Sequence, residues 1–443
     1  MTTIALLIFV IGYAAIVAEH KIKVDKAATA LLTGVGVWTV IALGATDSAA
    51  IEHDLGHHFK NAAEVLFFLL GAMTIVELID AHDGFDFVVR RLKTRRKQTL
   101  FWSLGLFTFF LSALLDNLTT TIVMISFLQK MVKNREERLL LSALIVLAAN
   151  AGGAWSPIGD ITTTMLWIGK QVSASQTVVQ LFLPSLVSLL VPMLFLSKYF
   201  KNNFDENFDK NIDENDHKNT ENASKTDDIL GGGQISETHK KIMLFTGILS
   251  LIFVPIFKLW THLPPFMGML LALGGLWLLS ERLHSERDHA ERAYFTPTSA
   301  LRRIDTPSVL FFLGILLAIG GLEQIGLLKT GAIWLDATVK NSNFIAIWIG
   351  LASAIIDNVP LVSATMGMYS TAQFPQNHDF WQLIAFCAGT GGSMLVIGSA
   401  AGVAAMGLER IGFIWYLKRI SWLALLGYFA GIAVFFLQKM LFS

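Results

Sequence analysis

Charge is scarce in this chain. Of its 443 residues only 15% are Asp, Glu, Lys or Arg, against about 25% in an ordinary soluble protein. That shortage excludes a water-facing surface around the whole molecule. Basic and acidic residues balance to a formal net charge of zero, so no basic field marks a nucleic-acid binder. A single cysteine, Cys387, excludes an intramolecular disulfide. The opening stretch, Thr2 to Val17, lacks a basic flank and a small-residue cleavage site, so it is expected to be a retained span and not a signal peptide. The apolar segments hold no Ser-His or Cys-His pairing. A membrane-embedded hydrolase needs a nucleophile, a base and an orienting group, so an enzyme is not expected.

What is present is apolar. Hydrophobic residues make up 53% of the chain, with 32 Phe and 11 Trp, which suits lipid-facing surface and interfacial belts. Apolar runs of about 17–25 residues can each cross a bilayer as a helix. Such runs lie near 2–18, 27–45, 61–80, 180–199, 242–259, 265–281, 306–325 and 420–439. Two further regions, 98–130 and 342–370, carry Asp-Asn at their centres, and two more, 138–170 and 381–413, are interrupted by glycine clusters.

Basic residues set the orientation, because Lys and Arg favour the cytoplasmic side. The clusters Arg90 to Lys97 and Lys130 to Arg138 flank the region around Asp116. Both of its ends therefore belong on one side. About 32 residues at 1.5 Å each span ~48 Å, too short for two crossings of ~30 Å. The region is expected to be a re-entrant hairpin entering from the cytoplasm. Exposed backbone at that depth is tolerable only against protein or a water-filled cavity. The second Asp-Asn region has few flanking charges and threads onto the outside. The loop after Ser280, with Arg282, Arg287, Arg292, Arg302 and Arg303, falls inside.

The polar stretch 201–241 is too poor in apolar residues to bury a core and is expected to be a cytoplasmic linker. It separates a first transmembrane repeat, 1–200, from a second, 242–443. Each half has three spans, a hairpin, a broken span and a final span, with opposite starting sides. The expected fold is an all-α polytopic membrane protein, an inverted repeat of two halves with about ten crossings, two opposed re-entrant hairpins and two broken helices. Both termini are expected on the outer side of a bacterial-type inner membrane.

The repeat shows in the residues. Ser112-Ala113-Leu114-Leu115-Asp116-Asn117 parallels Ser353-Ala354-Ile355-Ile356-Asp357-Asn358 at an offset of 241. Ala149 to Asp160 parallels Ala388 to Ser399 at an offset of 239. Gly152-Gly153 and Gly391-Gly392 are expected to break their helices, with Pro157 strengthening the first break by removing a donor. Broken helices expose carbonyls where cations can be held.

A carboxylate in a membrane span costs ~2.5–3.5 kcal/mol on insertion scales. Asp116, Asp160 and Asp357 therefore need a reason to be there. Hard cations such as Na⁺ prefer oxygen ligands. Ser112, Asp116, Asn117, Asn150, Asp160, Thr162, Ser353, Asp357 and Asn358 all supply them. Burial favours the neutral form of a carboxylate, which can then hold a proton near neutral pH. A site taking Na⁺ or H⁺ in turn would exchange them by competition. N-capping of half-helices is a second role open to the same aspartates. Asp160 is matched by Ser399 and Thr162 to Thr164 by Ala401, Gly402 and Val403, which places the main cation site nearer the first half. Ser393, Ser399, Glu64 and Glu77 are accessory candidates, although Glu64, Glu77 and Glu323 lie near span ends, where snorkelling explains them. His53, His57 and His58 are expected in an outside loop, as a pH sensor or simply solvated.

These motifs resemble those of the NhaD-type sodium/proton antiporters of the ion transporter superfamily. The resemblance rests on the Asp116-Asn117 and Asp357-Asn358 segments and on the two glycine-centred segments, and covers the chain outside the linker. It implies exchange of Na⁺ or Li⁺ for H⁺, with Na⁺ held by Asp116, Asp160 and Asp357 and no cofactor. It also implies a scaffold, two opposed hairpins and two unwound helices. A homodimer is compatible with it. Relatives include sodium-coupled dicarboxylate symporters, whose hairpin tips typically carry Ser-Asn-Thr. Asp-Asn in its place favours a cation as the sole substrate. A sodium-coupled anion symporter is the alternative, although the motifs lack an Arg to hold an anion.

Overall fold

The computed structural model describes residues 1–85, 96–200, 236–285 and 295–442. Those residues are helical, with no β-sheet among them. Eight of their helices are long and apolar enough to cross a membrane.

In the first part of the chain the helices of eight or more residues are α1 (Thr2–Val17), α2 (Lys26–Gly44), α3 (Ser48–Ala81), α4 (Lys97–Ser112), α5 (Asn117–Met131), α6 (Arg135–Ala154), α7 (Ile161–Ile168) and α8 (Ala174–Leu196). The second part supplies α9 (Glu237–Thr261), α10 (Pro265–Leu283), α11 (Thr306–Gln324), α12 (Leu327–Val339), α13 (Ser342–Ala352), α14 (Asn358–Met368), α15 (Asp379–Gly391), α16 (Ala400–Glu409) and α17 (Ser421–Phe442). Side-chain caps start most of them. Asp25, Asp47, Asn134, Asp305 and Asn341 each accept from backbone N–H groups one turn on, which satisfies donors that a helix leaves free.

The packing order follows from burial. From Leu140 to Ala154 and from Phe380 to Gly391 every residue is buried, so α6 and α15 form the centre of the bundle. α8 and α17 pack beside them, and a Cβ at Gly427 would collide with the Ser188 carbonyl. On the other flank α2 crosses α11 with Gly34 against the Gly314 carbonyl, while Trp38 Nε1 donates to Leu317 O at 2.8 Å. Small residues that let backbones approach closely are the usual means of joining helices in lipid.

Ion pairs establish which helix ends lie together. Lys97, the first residue of α4, pairs with Glu137 in the first turn of α6 at 2.7 Å. Only three residues separate α5 from α6, so α4 and α5 leave and return to one end of the bundle. Arg138 Nε reaches both carboxylate oxygens of Glu409, at 2.9 and 2.7 Å, which places the end of α16 there as well. Tyr369, just after α14, donates to Asp336 before α13 at 3.0 Å, so α13 and α14 also form a hairpin. The loop after it joins the opposite end, where Asn377 N donates to Gln171 O and Asn377 Oδ1 accepts from Ser173 N, at 2.8 and 2.7 Å. Lys439 of α17 pairs with Asp379 of α15 at that same end. The end holding Lys97, Arg138 and Arg303 is called the basic face below.

Three expectations change. His53, His57 and His58 do not sit in a loop, because α3 begins at Ser48 and carries all three. Asp47 caps its N-terminus, and the His58 ring lies 5.7 Å from that of Trp38. The expected linker 201–241 falls outside the described residues over 201–235, while residues 237–241 belong to α9. Ser236 caps that helix, and Lys240 pairs with Asp83 beyond α3 at 3.2 Å. α12 was not anticipated; it is an added helix between α11 and the second hairpin.

At the basic face three histidines meet. His82, just past α3, lies 5.0 Å ring to ring from His284, just past α10, and His239 of α9 lies 5.7 Å from His284. Phe295 stacks on His284 at 4.4 Å and also meets His82. His82 is fully buried, and its Nδ1 stands 2.6 Å from Leu78 O, so that nitrogen carries the proton. Burial pushes the His82 imidazole down to about 4, with His284, His239 and Arg303 adding positive charge in the same direction. The packed state thus binds fewer protons than an open one. Its stability is complete above the ordinary histidine pKa, about 6.5, and is lost as pH falls from there towards 4. The thermal unfolding temperature of the detergent-solubilised protein is expected to fall across that window. His82→Phe, which keeps the ring packing, is expected to flatten the decline; an unchanged pH profile in the variant would show that His82 does not contribute to it.

Candidate functional site

The centre of the bundle holds two helix breaks and two hairpin turns. α6 stops at Ala154 and α7 starts at Ile161, while α15 stops at Gly391 and α16 starts at Ala400. The hairpins turn between Ser112 and Asn117 and between Ala352 and Asn358. Helix ends leave backbone groups free, and in an apolar interior each needs a partner. The polar residues singled out in the sequence are those partners.

Four side chains cap the four helices that start here. Asp116 Oδ1 accepts from Thr119 N at 2.8 Å and its Oδ2 from Thr119 Oγ1 at 2.6 Å. Asp160 Oδ1 accepts from Thr162 N and Thr162 Oγ1 at 2.8 and 2.6 Å. Asp357 Oδ1 accepts from Val359 N and Ser399 Oγ from Gly402 N, both at 3.2 Å. Ser399 shows that a neutral hydroxyl suffices to cap a helix in this setting. An ionisable carboxyl group at 116, 160 and 357 is therefore more than capping requires.

Asn150 joins the breaks. Asn117 Nδ2 donates to Asn150 Oδ1 at 3.0 Å and to Asp160 Oδ2 at 2.8 Å. Asn150 Nδ2 in turn donates to Ser393 and Ser399 Oγ at 2.9 and 2.8 Å. The second hydrogen of each amide is thus used, and the network runs from the first hairpin through the first break to the second. All five of these residues are buried. Asp116, Asn117, Asp160, Asp357 and Asn358 line a single cavity, so the structure brings the three aspartates together. Tyr13 of α1 lies against the Asp357 backbone.

Ser112 and Ser353 play matching parts. Ser112 Oγ donates to Ala149 O at 2.6 Å, and Ser353 Oγ donates to Gly350 O at 2.7 Å and Ala388 O at 3.2 Å. The Ser112–Ala149 contact thus recurs as Ser353–Ala388, at the offsets of 241 and 239 found in the motifs. Close backbone approaches recur likewise. A Cβ at Gly152 would collide with Phe109 O, and one at Gly391 with Gly350 O.

The glycines act differently from expectation. Gly152 and Gly153 lie inside α6, Gly391 ends α15 and Gly392 is its right-handed C-cap. None has a positive φ. Gly152 and Gly153 admit neighbouring backbone and do not themselves make the turn, whereas the second break does begin at Gly391-Gly392; Gly153 lies against Gly159 O and Gly392 against Gly398 O. Pro157 does sit in the break, and its carbonyl accepts from Thr164 Oγ1 at 2.8 Å.

The accessory glutamates lie elsewhere. Glu77 pairs with Arg303 at 2.6 Å near the basic face. Glu64 and Glu323 do not line the cavity either, and Glu323 lies against Gly367 of α14. Lys26 and Ser308, from the first turns of α2 and α11, were missed, yet both line the cavity. Their helices start at the basic face, so the cavity runs from the three aspartates towards that end. The only sequence signal for Lys26 was a basic residue opening an apolar span.

The fold and cavity define a multi-pass membrane transporter. The family described as "Citrate transporter" matches residues 4–381. The chain is 50% identical to sodium/proton antiporter 1 of Arabidopsis thaliana, over 97% of this chain and 71% of that protein. It is 46% identical to sodium/proton antiporter 2 of the same plant, over 97% and 98%. The Na(+)/H(+) antiporter NhaD of Alkalimonas amylolytica is 31% identical over 97% and 89%. The chain belongs to the NhaD-type sodium/proton antiporter family.

Three substitutions test this framework. Gly152→Ala places a methyl on the Phe109 carbonyl and is expected to cost about 1–3 kcal/mol, as overpacking does. Gly274→Ala, in α10 with open space at its Cβ, is expected to gain up to ~1 kcal/mol from helix propensity. Chemical or thermal unfolding in detergent reads both. Equal stability of the two variants would remove the close-approach role of Gly152. Asn150→Ala leaves Asn117 short of one acceptor and is expected to cost about 1–3 kcal/mol.

Proposed function

We propose that this protein exchanges Na⁺ or Li⁺ for H⁺ across a membrane by alternating access. One observation carries the reading: three carboxylates line one cavity at the junction of two helix breaks and two hairpin turns. The names of its relatives agree with it. Asp116, Asp160 and Asp357 hold the ion or the proton in turn. Asn117, Asn358 and Thr164 line the same cavity and add oxygen of the kind Na⁺ prefers. The N-terminal dipoles of α5, α7 and α14 face the same centre, where they favour negative charge. That supports a site able to hold several carboxylates.

The basic face is the cytoplasmic one, because Lys and Arg concentrate there. The cavity then faces the cytoplasm and both termini lie outside. α1 and the α15–α16 pair, each too short by itself, bring the crossings to about ten. The two hairpins are re-entrant and the halves form an inverted repeat. The Ser112–Ala149 and Ser353–Ala388 contacts support this, as do the hairpin mouths at opposite ends. Alternating access then follows from one bundle moving against a scaffold of α1–α3 and α9–α11.

The family description names citrate, which favours a sodium-coupled anion symporter as the second reading. Three carboxylates against one lysine in the cavity wall oppose it, since they repel a carboxylate substrate. Na⁺-dependent uptake of labelled citrate or succinate would establish it.

The test is cation-driven proton movement in proteoliposomes, followed with a pH dye. Na⁺ is expected to drive proton movement. Asp116→Asn, Asp160→Asn and Asp357→Asn are expected each to lower it at least tenfold while the protein still inserts. Ser399→Ala, which removes a cap without a charge, is expected to cost far less. Undiminished exchange in all three aspartate variants would end the proposal.

A further inference from the structure

The cavity that holds three aspartates has one basic residue in its described wall, Lys26. Lys26 sits in the first turn of α2, half-buried, with its Nζ 4.6 Å over the ring of Phe311. Among the described residues its ammonium forms no ion pair; the carboxylate of Glu19 accepts from its backbone N at 3.3 Å. Ser308 lines the wall from the first turn of α11. Both residues stand at the basic-face end of their helices.

Three carboxylates in one cavity create a selectivity problem. Carboxylate clusters are the ligands that Ca²⁺ and Mg²⁺ prefer, and both bind such groups strongly. Charge alone therefore gives a divalent ion the advantage over Na⁺. A fixed positive charge at the entrance reverses part of that advantage, because its repulsion scales with the charge of the incoming ion. Na⁺ meets it once and Ca²⁺ twice. The low-dielectric walls of a cleft strengthen the effect relative to open water.

We propose that Lys26 is a specificity-determining residue whose ammonium, held on Phe311 at the entrance to the cavity, keeps divalent cations from the three aspartates. The proposal rests on reading this cavity as the cation site. It has a quantitative signature. If removing the charge tightens Na⁺ by a factor of about three, it tightens a divalent ion by about the square of that, roughly ninefold. A residue that matters only through packing produces no such relation.

The experiment uses the full-length protein in everted vesicles, which expose the cytoplasmic face. Two constants are read from proton movement: the half-saturating Na⁺ concentration and the half-inhibitory concentration of Ca²⁺ or Mg²⁺. Neither depends on how much protein is present. Lys26→Met is expected to lower both, the divalent constant by the larger factor, and Lys26→Arg is expected to match the unaltered protein. Lys26→Cys permits the charge to be restored on an already folded chain. Attaching an aminoethyl group through a methanethiosulfonate is expected to return both constants towards their original values, while a neutral methyl group is not. The one native cysteine, Cys387, is buried and out of reach of the reagent. Constants that ignore charge at position 26, or that shift equally for Na⁺ and Ca²⁺, overturn the proposal. Absence of Na⁺-driven proton movement in the unaltered protein would instead overturn the reading of the cavity on which it rests.

Discussion

Free backbone groups at the helix breaks govern the rest of this structure. A helix that stops inside an apolar bundle leaves N–H and C=O groups without partners, and no bulk water is at hand to take them. Asp116, Asp160, Asp357 and Ser399 answer the N–H groups at four starts. Asn117 and Asn150 use their paired donors and acceptors to tie two of those caps, Asp160 and Ser399, into one network. Of these side chains, Asp116, Asn117, Asp160 and Asp357 also line the cavity. Structure and chemistry are thus carried by one set of atoms, and a substitution there acts on both.

The two hairpin-and-break segments share local contacts but differ at one cap. Matching serine contacts and matching glycine approaches show the framework. The difference sits at one pair of caps, where Asp160 stands opposite Ser399. Because a hydroxyl caps as a carboxyl group does, Asp160 adds an ionisable group to a working cap. Its second oxygen is held by Asn117, so the first hairpin and the first break respond together to whatever binds there. Lys26 lines the same cavity from the first turn of α2.

The glycines carry a separate lesson. A Gly-Gly pair beside a break reads naturally as the break itself. Here Gly152 and Gly153 keep helical backbone, and what they permit is contact: the carbonyls of Phe109 and Gly159 occupy the space a side chain needs. The turn that follows takes place at Trp155 to Gly159, where Pro157 lies. Glycine's small size, and not its freedom to adopt positive φ, is the property in use.

Sequence alone determined the apolar spans, the hairpin sites, the internal offset and the aspartates, because each is a local matter. A run of apolar residues needs a membrane wherever it lies, and an ionisable residue within one needs a reason. What the tertiary structure decided is which distant residues share a space. His82, His239 and His284 stand far apart in the chain and meet only because α3, α9 and α10 end at one face. α3 continues back through His53, His57 and His58, which polar composition alone had marked as loop. Lys26 and Ser308 are unremarkable first-turn residues until α2 and α11 cross at their glycines and turn both into the cavity wall. Such encounters are set by helix packing, through carbonyls and small residues that meet across hundreds of positions, and no local pattern encodes them.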